Sequence, residues 1–120
     1  MQQLYVASLL ANFFDAGGSI QVLLGDMDRA QYEASRLARP EIERHLRTMA
    51  DSARALPEAV RAQMPKVDWS AWAALTDELP PHSEAARARV WTVLSTWLPP
   101  AGAELRRYRA RLPALWAFSP

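Results

Sequence analysis

Cysteine is absent from the 120 residues, which removes disulfides, thiolate metal sites and thiol nucleophiles together. Histidine is scarce: His45 and His82 stand alone, and neither has a second histidine three or four residues away. The helix-face imidazole pair of a zinc site is therefore missing, and no metal is expected. A glycine-rich phosphate loop and a nucleophile elbow are also missing, and no cofactor is expected. Charge of one sign is lacking as well. The net charge is +1 and the pI near 8.2, which excludes strong nonspecific adhesion to polyanions. Long apolar runs are lacking too, because the stretch from Val6 to Phe14 is interrupted by Ser8 and Asn12 and falls short of the roughly 20 residues a bilayer requires. With no basic start followed by an apolar stretch and a cleavage site, neither a leader nor a membrane partner is expected, and the cytoplasm is the expected location.

Half of the residues are apolar and 22% are charged, the proportions of an ordinary globular chain with one core. No internal repeat or low-complexity linker divides it, so residues 1–120 read as a single helical domain. Apolar positions at Val6, Leu10, Phe13, Gly17, Ile20 and Leu24 step by four and three, one face of a first helix. Gly17-Gly18 in that helix implies either a bend or the close approach of another backbone, and a kinked first helix is expected. Gly25 acts as a stop, and Asp26 or Asp28 can cap a short second helix through about Leu37. Pro40 suits a helix start, and Ile42, Leu46, Met49, Ala53 and Leu56 form the cleanest stripe in the chain.

Pro57 ends that third helix and opens a short turn through about Gln63, and Pro65 breaks the chain. Asp68 caps a segment carrying Trp69, Trp72 and Leu75, which Pro80-Pro81 stops. Ser83 can cap a helix with Ala86, Val90, Val93 and Trp97 on one stripe and Trp91, Leu94 and Leu98 on a neighbouring one. Pro99-Pro100 is expected to interrupt it, before a last helix with Leu105, Tyr108, Leu112 and Leu115 inward. The expected fold is an all-α antiparallel bundle of about five to six helices. Apolar character on two sides of residues 86–98, with five tryptophans in so short a chain, fits a helix-mediated homodimer; the other reading is that the tryptophans fill the core of one chain.

Few residues suggest chemistry. Glu41 with Glu43 and Asp77 with Glu78 are spaced so that neither pair shares a helix face, and both read as solvated. His45 lies beside the apolar stripe of the third helix, at a core edge or an interface. His82 follows Pro80-Pro81 at a helix junction, where an imidazole can be held and still reach solvent. Such a group can move the proton of a ribose 2′-hydroxyl, but a metal-independent ribonuclease also needs a cation for the phosphate. Residues 73–79 offer none, which leaves Arg87 and Arg89 as the local substitutes. The plainer reading of His82 is an exposed junction residue. Arg106, Arg107, Arg109 and Arg111 crowd the end of the chain and read either as a solvated helix face or as a surface for a phosphate backbone or acidic partner.

The run Ser35 to Leu46, continuing through Ala53-Arg54-Ala55-Leu56-Pro57-Glu58, together with Pro65-Lys66-Val67-Asp68-Trp69, Val90-Trp91 and Leu98-Pro99, resembles HepT-like proteins, a branch of the HEPN superfamily. The similarity is collinear from about residue 10 to residue 112. It implies a helical bundle that dimerises, with active sites at the dimer cleft. It also implies toxin–antitoxin ancestry, with RNA as substrate and a partner nucleotidyltransferase antitoxin that can adenylylate a tyrosine of the toxin. The family motif is arginine, four to six residues, then histidine, a variable residue and tyrosine. Thr76 falls in the arginine slot, Pro81 or His82 in the histidine slot, and Ser83 or Glu84 in the tyrosine slot. The resemblance therefore implies either a catalytically degenerate binding or regulatory module, or an active metal-independent endoribonuclease using His82 with Arg87 or Arg89.

Overall fold

A computed structural model describes residues 2–78 and 84–117. Its helices are α1 (Gln2–Leu24), α2 (Arg29–Ala34), α3 (Ala38–Ala55), α4 (Glu58–Ala62), α5 (Trp69–Glu78), α6 (Glu84–Thr92) and α7 (Leu98–Arg111). A π-helical turn, Val93–Trp97, joins α6 to α7, and a 3-10 turn, Pro113–Trp116, follows α7. No strand occurs among the described residues, so the fold is an all-α helical bundle.

The two long helices α1 and α3 form the centre and run antiparallel: Gly17 lies against Met49, whereas Val22 and Leu23 share a groove with Glu41 and His45. The stripes expected from the sequence are the faces that meet. Val6, Leu10, Phe13 and Ile20 of α1 are buried, as are Ile42, Leu46, Met49 and Ala53 of α3. Helix α1 starts before the periodicity indicated because Leu4 and Tyr5 are exposed and add nothing to the inward stripe. It continues unbroken through Gly17-Gly18. No interruption marks the expected kink, and what approaches Gly17 is two side chains, not a backbone: a Cβ there would lie 3.3 Å from Met49 Cε and 3.4 Å from Leu98 Cδ1.

Turn chemistry sets the next boundaries. Gly25 takes a left-handed conformation, φ +51°, and closes α1 with an N–H bond to the Gln21 carbonyl at 3.0 Å. Asp28 begins α2 through a reciprocal box: its carboxylate accepts from Gln31 N–H at 2.8 Å while its own N–H donates to the Gln31 amide oxygen at 2.9 Å. Helix α2 ends at Ala34, not near Leu37, because extended Ser35 places its hydroxyl to accept from Ala38 N–H at 3.0 Å and so starts α3.

The largest departure from the sequence expectation is at Pro99-Pro100, where the chain remains helical. Each proline lacks an N–H and crowds the carbonyl four residues earlier. The preceding turn widens, so that Leu98 N–H bonds to the Val93 carbonyl, five residues back. Side-chain hydroxyls share the carbonyls of this segment: Thr92 donates to Ala88 at 3.0 Å, Ser95 to Trp91 at 2.7 Å and Thr96 to Thr92 at 2.6 Å. Past the turn, Leu98, Ala101, Leu105 and Tyr108 are buried, whereas Leu112 and Leu115 are only half-buried.

Aromatic rings fill the middle of the core. Phe13 meets Trp69 and Trp72 at centroid distances of 5.1 and 5.2 Å, and Trp72 meets Trp97 edge to face at 5.6 Å. Trp69, Trp72 and Trp116 are buried, and Trp91 and Trp97 are half-buried, so one chain accommodates most of the indole surface. The sequence expectation about membranes also changes. By length and composition, α1 from Leu4 to Leu24 could cross a bilayer; here Val6, Leu10, Phe13 and Ile20 are buried in the bundle, and Leu4, Tyr5, Val22 and Leu23 are exposed.

Candidate functional site

Helix α5 presents the region of interest because its start is firmly anchored. Asp68 accepts from Ala71 N–H at 3.1 Å, and the Trp69 indole N–H donates to the Met64 carbonyl at 2.9 Å. With Trp69, Trp72 and Leu75 buried, Thr76, Asp77 and Glu78 occupy the last turn. The half-buried Thr76 turns its hydroxyl back onto the Ala73 carbonyl of its own helix. Asp77 and Glu78 are exposed yet not simply solvated, as the sequence had indicated. Asp77 Oδ1 lies 3.7 Å from Arg54 of α3, and Glu78 accepts from Arg89 Nε of α6 at 2.9 Å. Arg89 also holds its guanidinium over the Trp97 ring, 4.5 Å from the centroid.

Thus the structure brings together Thr76, Asp77, Glu78 and Arg89, and adds Arg54, which sequence reasoning missed because it lies on the outer side of α3 with no spacing signal. Arg87 is exposed on α6. His82 and Ser83 lie outside the described residues, as does Pro81, so the histidine and tyrosine slots receive no geometry. Among the described residues, no group of three or more histidines and acids is placed to hold a metal ion.

The chain matches no family model, no curated protein and no solved structure.

Of the acid pair on α3, Glu41 is exposed, as the solvated reading expected, and Glu43 is not. Glu41 binds Arg44 at 2.8 Å, and that guanidinium holds its carboxyl below the usual range. Glu43 is half-buried and accepts from the Tyr32 hydroxyl at 3.1 Å. Burial first, and then the Glu43 carboxylate, push the Tyr32 phenol well above its ordinary value of 10.0. A raised phenol gives stability that is complete below the unfolded value and is lost as pH rises beyond it, since only the unfolded chain releases the proton there. The melting temperature is therefore expected to fall between pH 9 and 11 by more in the wild type than in Tyr32→Phe; equal slopes would show that Tyr32 does not couple to folding. His45 is half-buried and lines an open groove with Phe14 and Glu41.

Proposed function

We propose that this chain is a HepT-like protein of toxin–antitoxin ancestry whose nuclease centre is degenerate, and that it works as a dimeric binding or regulatory module toward a nucleotidyltransferase or RNA. The collinear resemblance from about residue 10 to residue 112 supports the ancestry, and an all-helical bundle built on α1 and α3 is compatible with it. One observation carries the loss of catalysis. At the place of the motif arginine, Thr76 spends its hydroxyl within its own helix, and the carboxylates of Asp77 and Glu78 follow directly. A scissile phosphate there would meet two anions, while Arg54 and Arg89 are already engaged with them. A hydroxyl beside carboxylates cannot replace the planar, charged donor fork that grips a phosphate.

The test is incubation of the purified protein with labelled RNA in EDTA, beside His82→Ala. No cleavage above background is expected from either. Cleavage by the wild type that disappears in His82→Ala would overturn this reading in favour of an active ribonuclease. Sedimentation at micromolar concentration is expected to give twice the 13.5 kDa chain mass; a 13.5 kDa species alone would remove the dimer from the proposal.

A further inference from the structure

Glycine is the least favourable residue in a helix interior apart from proline, so each helical glycine asks for a reason. Gly17 has one in the contacts of its backbone with Met49 and Leu98. Gly18 of α1 and Gly102 of α7 do not. A Cβ on Gly18 would meet nothing within 4 Å, and one on Gly102 would meet only Arg106 Nη1, at 3.8 Å. Both glycines line the same half-open recess between α1, α3 and α7, about 360 Å³ when the part open to solvent is counted. Their missing side chains help keep it open.

The lining has two parts. Phe13, Phe14, Met49, Leu98 and Leu105 form apolar walls, and Gln21 and Arg106 supply the polar groups. Neither the Gln21 amide nor the Arg106 guanidinium engages another described residue, and Glu104, the acid close by in sequence, is taken by Arg107. An apolar recess with one unpaired guanidinium and one amide is the usual make-up of a small-molecule site.

We propose that this cavity binds a small organic carboxylate with an apolar body, independently of the function proposed above. The apolar body replaces water against the phenylalanine and methionine walls. The carboxylate meets the Arg106 fork, whose planar N–H donors match its two oxygens, and the Gln21 amide donates a further hydrogen bond.

Phenylacetate is a suitable probe and phenylacetamide its neutral counterpart. The chain has four glycines, so labelling glycine with nitrogen-15 gives a simple amide spectrum. Gly17, Gly18 and Gly102 line the cavity. Phenylacetate is expected to shift these three signals saturably. Arg106→Gln is expected to weaken binding about tenfold, the scale of a charged hydrogen bond. Gly102→Leu, which fills the space, is expected to abolish the shifts.

No saturable shift up to about 10 mM phenylacetate, beyond which affinity carries little meaning for a site of this kind, would overturn the proposal. So would equal affinity for phenylacetamide, or retained shifts in a folded Gly102→Leu chain. If Gly102→Leu fails to fold, Arg106→Gln decides: its side chain is exposed, the variant is expected to fold normally, and undiminished binding by it would overturn the proposal.

Discussion

Phe13→Ala is expected to lower the melting temperature by about 10–20 °C, corresponding to roughly 3–5 kcal/mol for loss of a buried aromatic ring. Phe13 is fully buried and is the ring on which two indoles of α5 converge, with Trp69 and Trp72 both within 5.2 Å of its centroid. Those indoles are held from behind, Trp69 by its bond to the Met64 carbonyl and Trp72 by Trp97. They are thus poorly placed to collapse into the space left, which puts the loss toward the upper end of the range. A domain of this size has about 5–15 kcal/mol in total, so thermal denaturation followed by circular dichroism will resolve the change easily. A shift of less than about 3 °C, under 1 kcal/mol for a chain of this length, would mean that Phe13 is not the hub of this packing.

Gly17→Leu and Gly18→Ala, at adjacent positions, are expected to act in opposite directions. A side chain at Gly17 would begin 3.3 Å from Met49 and 3.4 Å from Leu98. Leucine must therefore push α1 away from α3 and α7 at once, an overpacking loss of about 3 kcal/mol. Gly18 has open space where a Cβ would be, so alanine there is expected to add about 0.5–1 kcal/mol by reducing backbone freedom in the unfolded chain. Urea titration of the two variants checks both signs. Equal effects would contradict the distinction between a glycine required by contact and one that merely leaves room.

What could be read in the sequence follows from how local each determinant is. The inward stripes of α1 and α3 were legible because burial of Val6, Leu10, Phe13, Ile42, Leu46 and Met49 repeats at helical spacing. Asp28, Asp68 and Gly25 announced helix ends because a cap acts within three or four residues. The pairing of Tyr32 with Glu43 was not legible, since it joins two helices. Nor were the Arg54–Asp77 and Arg89–Glu78 contacts, which depend on how α3 and α6 pass the end of α5. The poverty of the Thr76 region in cations could be read directly; the engagement of the nearby arginines with its acids could not. Trp116 was missed because it follows Pro113 in a 3-10 turn and belongs to no long stripe.

The widened turn before Pro99 also sets an angle. Each residue of an α-helix advances the side-chain direction by about 100°. From Val90 the buried positions are Val93, Leu94, Leu98, Ala101, Leu105 and Tyr108, and Val93 and Leu98, five residues apart, are the pair that the widened turn bonds together. Deleting one residue from this turn would rotate all of α7 by roughly a quarter of a revolution about its own axis. Leu105 and Tyr108 would leave the interior, and Gly102 and Arg106 would leave the cavity beside α1. Two prolines and three hydroxyls thus fix the azimuth of the final helix, and with it the face that the chain shows at that cavity.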